Sequence, residues 1–281
     1  MSFEALPVGG NEEKNELPRE PKETPQRLLY AVEMSIKPFI REVSVSGIEN
    51  VEAIPSGKKV IIAATHLSDL DMALVVKALG KHFDIAVSDQ STHHSFREDP
   101  AGNMSIRLAG EKNFLPIDYK KVAGEKEAKF NPDNFASMAE ALDGGKEVLV
   151  AAHNPSEDGM LSKGGVGAVY LAQLAEDSVI LPVAVIIDSE NAFLAGKNVL
   201  QKMAERPDAE VVIGSAISPE HIAGIQDFKA IMDKRKRKEK LSSDEIARFS
   251  ELSDALKEQS ASIMKTLAAM IPEEKRGYYA D

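Results

Sequence analysis

One histidine and one aspartate stand out by type and spacing. His66 closes the apolar run KKVIIAATH, and Asp71 follows it across LSDL and opens DMALVVKALGKH. The run reads as a strand and the following segment as a helix. His66 is therefore expected at a strand exit and Asp71 in the first turn of a helix. The intervening turn folds the chain back, so the two side chains can meet. A carboxylate beside an imidazole holds one tautomer and raises the basicity of the ring. Such a pair suits a general base that takes a proton from a hydroxyl nucleophile. Two other readings use the same residues. Ser68 and Asp71 fit a capping box, with Ser68 as N-cap and the acid at N3. His66, Asp69 and Asp71, joined by His93 or His94, can supply nitrogen and oxygen ligands to a metal, as in a metal-dependent hydrolase, although the spacing matches no standard zinc pattern.

The elements that must position these residues alternate along the chain. VSVSG reads as a short strand, KKVIIAATH as an apolar strand, DMALVVKALGKH as a helix and FDIAVSD as a strand. A helix through Met104–Leu108 leads to the strand NFLPID; Asn131–Leu142 reads as helix and GGKEVLVAAH as strand. Gly164–Leu174 is helical, SVILPVAVII a buried strand, EVVIGSAIS a last strand, and the C-terminus is helical. Alternation with near-continuous apolar strands predicts a single α/β domain with a mixed, largely parallel sheet covered by helices. In such sheets ligands bind beyond the carboxyl ends of the strands, which is where His66 falls.

Four segments follow. Residues 1–25 are rich in Glu, Lys, Pro and Gly and are expected to be a disordered tail. Residues 26–42 carry Leu28, Leu29, Val32, Ile36 and Phe39 at helical spacing, either packed on the core or lying on a membrane surface. Residues 43–218 form the α/β domain, and 219–281 a helical extension. The extension contains KRKRKEK at 234–240, a basic run that is either a solvated helix face or a contact for anionic headgroups.

Composition narrows the functions. The 281 residues carry a net charge of -11, against a dedicated nucleic-acid binder. Cysteine is absent, so there is no disulfide framework, thiolate nucleophile or Cys-based metal site. The longest apolar run, Val179 to Ile187, is interrupted by Pro182 and falls short of the ~18 residues expected for a membrane span. The N-terminus has no basic segment followed by an apolar one. A soluble, cytoplasmic protein is expected. No Gly-x-Ser-x-Gly elbow and no Walker lysine loop is present.

The blocks VSVSGIENV, KKVIIAATHLSDLDMALV, GEKNFLPIDYKK, GKEVLVAAHNPSEDGMLSKGGVGAVYLA, VILPVAV and EVVIGSAIS follow one another in order. Together, from about Val43 to Ser218, they resemble the glycerophospholipid acyltransferase family, which contains lysophosphatidate and glycerol-3-phosphate acyltransferases. The family's first motif is a His, four residues and an Asp, filled here by His66 and Asp71. The resemblance implies that His66 is the general base on the acceptor hydroxyl and that Asp71 orients it. It also implies a thioester co-substrate (acyl-CoA or acyl carrier protein), a glycerolipid acceptor, no metal or other cofactor, and peripheral membrane contact.

Two departures bear on the acceptor. The second block lacks the family's Arg, leaving Lys120 or Lys121 as the phosphate cation; in a polar loop both lysines can equally be merely solvated. The family's third block, Pro-Glu-Gly-Thr-Arg-Ser, is here Ala151-Ala152-His153-Asn154-Pro155-Ser156, so that Ala152 replaces the Glu and Pro155 the Arg. His153, Asn154 and Ser156 then offer neutral hydrogen bonds and Lys163 one charge. Three outcomes are open: another phosphate cradle, an acceptor without phosphate, or a lipid- or acyl-carrier-binding protein without turnover. Gly164, Gly165 and Gly167 before the next helix suit either anion binding by backbone N–H groups or close packing of helix on sheet.

Overall fold

The computed structural model describes residues 22–89, 110, 113–117, 133–154, 158–189 and 203–280. Seven strands form one sheet: β1 Val43–Ser46, β2 Lys59–Ala64, β3 Ile85–Asp89, β4 Phe114–Pro116, β5 Glu147–Ala151, β6 Ser178–Ile187 and β7 Ala209–Ile213. Their spatial order is β1-β7-β6-β2-β5-β3-β4. All neighbours are parallel except β6 and β7. The sheet is mixed and largely parallel, and the exits of β2, β5 and β6 lie side by side along one edge.

The helices are α1 Gln26–Ile36, α2 Glu49–Glu52, α3 Asp71–Leu79, α4 Asn134–Asp143, α5 Gly167–Leu174, α6 Ile225–Lys236 and α7 Ser243–Ala269. Strand residues alternate between two cores, as the two-residue period of a strand requires. Ile61, Ala63, Val148, Val150 and Ile180 face α4, α5, α6 and α7. Val60, Ile62, Leu149, Leu181 and Val183 face α1 and α3. Burial on both faces is the reason these strands read as continuous apolar runs rather than alternating ones. Each buried aliphatic side chain contributes about 1.5–3 kcal/mol.

The C-terminal helices belong to that same first core, through Phe228, Leu252, Leu256, Ile263 and Leu267. Helix α7 starts with a capping box: Glu245 N–H donates to Ser242 Oγ at 3.2 Å, and Ser242 N–H to the Glu245 carboxylate at 2.8 Å. The basic run before it is largely paired within the chain. Lys234 meets Glu245, Lys236 meets Asp133 at 2.7 Å, Arg237 meets Glu239, and Arg235 lies 4.7 Å above the Phe249 ring.

Helix α1 buries Leu28, Val32 and Ile36 against α3 and exposes Tyr30 and Met34. Ordered chain begins before it. Thr24 is buried; its N–H donates to Gly80 O at 2.8 Å and its hydroxyl to Phe83 O at 2.6 Å. A single buried threonine thus ties the end of the 1–25 segment to the α3–β3 turn. The helix expected at Met104–Leu108 lies outside the described residues. No helix among those described is long and apolar enough to cross a membrane.

Candidate active site

Strand β2 delivers His66 to the sheet edge through Thr65. This threonine is fully buried and extends the ladder to β6: its N–H donates to Val183 O at 3.0 Å, and its Oγ1 accepts from Val185 N–H at 2.9 Å. On the other side Ala152 N–H donates to Ala64 O at 2.8 Å, carrying the β2–β5 pairing one step beyond the strands. His66 and His153 therefore leave neighbouring strands in register.

His66 is half-buried, and its Nδ1 lies 3.1 Å from Ser68 O. A carbonyl only accepts, so the proton sits on Nδ1 and the lone pair on Nε2. The Asp71 carboxylate is fully buried and accepts from Leu67 N–H, from Ser68 N–H at 3.0 Å and from Ser68 Oγ–H at 2.6 Å. Among the described residues its hydrogen bonds go to those two residues. Asp71 holds Ser68, and Ser68 in turn holds the imidazole, so the orienting influence is relayed rather than direct. The direct imidazole–carboxylate bond that the spacing permits gives way because two backbone N–H groups in this tight turn need an acceptor. Of the capping box only the bond from Ser68 N–H to the Asp71 carboxylate forms; Ser68 Oγ accepts from Leu70 N–H at 3.2 Å rather than from Asp71 N–H, and regular helix starts only at Asp71. Burial pushes the Asp71 carboxyl up to about 7, against the opposing effect of its three donors.

His153 is buried at 2% exposure, and both ring nitrogens have partners. Nε2 accepts the His66 N–H at 3.0 Å, and Nδ1 lies 2.8 Å from Asn154 O and 3.2 Å from Ser162 Oγ. This is the neutral Nδ1–H tautomer. Burial, the main cause, and the nearby His66 hold the ring at about 4, while the bond to Asn154 O acts against them. The sequence placed His153 among groups that hold the acceptor; its geometry is that of a strut between two strand exits. Asn154 is exposed beside it.

The loop after β5 is pinned by the C-terminus. Leu161 N–H donates to Lys275 O at 2.9 Å, Tyr278 N–H to Leu161 O at 3.0 Å, and Gly164 N–H to Tyr279 Oη at 3.1 Å. Gly165 N–H donates to Ala152 O at 2.9 Å, and Ser260 Oγ–H to Gly165 O at 2.8 Å. The N–H groups of Gly164 and Gly165 are thus engaged within the chain. Of the two uses open for this glycine run, that favours close packing over anion binding, since two of its donors already have acceptors. Sequence reasoning passed over Thr65, Ser162, Ser260 and Tyr279; no local pattern marks a hydroxyl whose partner lies far away in the chain.

Lys163 leaves this loop into a cleft against α7, and the described lining of that cleft does not include His66. Lys120, Lys121, Ser156, His93 and His94 lie outside the described residues. Among the described residues no group of three His, Asp or Glu side chains is placed to hold a metal.

No family model matches this chain, and no curated protein matches it. Among solved structures it is similar to the 1-acyl-sn-glycerophosphate (LPA) acyltransferase PlsC from Thermotoga maritima. The TM-score is 0.47 and the identity 15%, over 76% of this chain and 77% of that one. A likeness of that size assigns no residue a role.

Proposed function

We propose that the protein is an O-acyltransferase. It moves a fatty acyl group from a thioester carrier, acyl-CoA or acyl carrier protein, to a glycerol-3-phosphate or lysophospholipid-type hydroxyl. The observation that carries this reading is the His66 imidazole at the exit of β2, its Nδ1–H on Ser68 O and its basic lone pair on Nε2. The ordered sequence blocks that surround it support the same reading.

In the reaction Nε2 takes the acceptor's hydroxyl proton as the oxygen attacks the thioester carbonyl. The C–O bond forms, the tetrahedral intermediate collapses, and the C–S bond breaks. The departing thiolate takes the proton back from the imidazolium, which returns His66 to its neutral form. Asp71 positions the ring through Ser68, and His153 positions the backbone of His66. Acceptor contacts are assigned to Lys120, Lys121, Asn154 and Ser156. The acylated product is amphiphilic whichever acceptor is used, so peripheral contact with a membrane surface is part of the same reading.

Ala152 and Pro155, standing where the resemblance expects Glu and Arg, favour a second reading in which the protein binds lipid or acyl carrier without turnover. One assay separates the two. Purified protein is given acyl-CoA or acyl carrier protein with glycerol 3-phosphate or lysophosphatidate, and product is counted beside His66→Ala. Loss of a general base lowers the rate by about 10²–10⁴. Equal turnover in both proteins overturns the mechanism, and ligand binding with no product in either establishes the second reading.

A further inference from the structure

A cleft of about 590 Å³ lies between α7, the loop carrying Lys163 and Gly164, and the C-terminal turn Gly277–Tyr279. That volume is in the range of small-molecule sites. Its described lining contains Lys163, Lys257, Lys265 and Arg276, with no Asp or Glu. Lys257 is balanced by Asp254 at 2.9 Å. Among the described residues the other three have no carboxylate within ion-pair distance. The chain as a whole carries -11, so this concentration of positive charge stands against the protein's own average. Like charges gathered around a concavity focus a field that draws in an anion.

The rest of the cleft's described lining carries no charge and combines Ser260 with small apolar and tyrosine side chains. Ala261 and Ala268 line it, and Tyr278 stands at its edge, 66% exposed. Its backbone N–H is bonded to Leu161 O, and its ring stands at 72° to that of Tyr279 with centroids 5.0 Å apart. Tyr279 is itself anchored on Gly164 N–H. A preformed aromatic surface beside three unbalanced cations offers stacking to a flat ring and charge-assisted hydrogen bonds to phosphate oxygens.

We propose that this cleft binds a nucleotide diphosphate, its phosphates on Lys163, Lys265 and Arg276 and its base on Tyr278. A membrane surface fits less well, because the cations converge on a concavity rather than spreading over a plane. The described lining of this cleft does not include His66, so the site is tested separately from the chemistry assigned there.

The test is calorimetric titration of the full chain with ADP, pyrophosphate and adenosine at fixed ionic strength. ADP is expected to bind more tightly than either fragment. Lys265→Gln with Arg276→Gln weakens ADP and pyrophosphate at least tenfold, and Tyr278→Ala weakens ADP while sparing pyrophosphate. Lys163→Gln with Lys265→Gln repeats the charge test without touching the half-buried Arg276, should that variant fold poorly. Lys37→Gln, a lysine elsewhere on the surface, leaves binding unchanged. His66→Ala also leaves it unchanged, so a failure of acyl transfer and a failure of this site are told apart. The proposal is overturned if ADP gives no heat beyond dilution, or if folded charge variants bind it like the parent. It is equally overturned if anionic phosphatidylglycerol vesicles capture the chain through these cations while ADP does not bind.

Discussion

The ring of His153 accepts the backbone N–H of His66 at 3.0 Å. A buried side chain from the exit of β5 thus sets the position of the residue that leaves β2. The contact uses the His66 backbone and leaves its imidazole to be oriented separately by Ser68 O.

It follows that the two histidines respond differently to truncation. His153→Ala leaves the His66 N–H without its acceptor and empties a buried site, costing at least about 1–3 kcal/mol. His66→Ala keeps that N–H, and its stability stays close to the parent while acyl transfer falls. Urea midpoints of the two variants, measured beside product formation, check the contrast. Equal destabilisation would remove the strut role from His153.

Asp71 and His153 pull stability in opposite directions with pH. The His153 ring is held at about 4 in the fold, against 6.5 for the free side chain. Its contribution is present above 6.5 and is lost as pH falls toward 4. The Asp71 carboxyl is raised to about 7 from 3.8, so its contribution is present below 3.8 and is lost as pH rises through 7. Between pH 4 and 6.5 the two offset each other. Asp71→Asn is expected to expose the histidine slope, losing stability on acidification. His153→Gln exposes the opposite slope, losing stability as pH rises from 4 to 7. Each slope is at most about 1.4 kcal/mol per pH unit. Denaturant titrations at pH 4.5, 6 and 7.5 read them, and slopes of the same sign in both variants would contradict the assignment.

Ser68→Ala removes the hydroxyl that donates to Asp71 Oδ1 and accepts from Leu70 N–H, but keeps the carbonyl that holds His66. A loss of about 1–3 kcal/mol is expected, because a buried carboxylate oxygen loses its donor. Activity, normalised to folded protein, falls less than in His66→Ala. A kcat as low as that of His66→Ala would instead place the hydroxyl in the reaction.

Gly277 sits at φ +48°, and a Cβ there would stand 2.5 Å from Leu161 O. Gly277→Ala is therefore expected to cost about 1–3 kcal/mol from left-handed backbone strain, and more from the close approach. Because the C-terminal turn pins the loop after β5, proteolysis should become faster between 158 and 166. An unchanged melting temperature would show that the turn adapts.

The period of the sequence was enough to place β2, β5 and β6, since strands buried on both faces need continuous apolar residues, and a two-residue alternation divides them between two cores. It also placed His66 at a strand exit and Asp71 at a helix start, because an apolar run ending in polar residues before a helical period marks that junction. Which groups then bond to which depended on the turn in three dimensions. The carboxylate of Asp71 could reach either an imidazole or a pair of backbone N–H groups, and buried N–H groups left unpaired are costly, so they took it. Long-range partners were likewise outside the reach of local pattern. Tyr279 meets Gly164 across a separation of 115 positions, and Thr24 meets Phe83 across 59. Apolar periodicity reports which face of an element is buried. Only packing decides which polar atoms meet at its ends, because each such bond depends on two distant segments arriving within about 3 Å of each other.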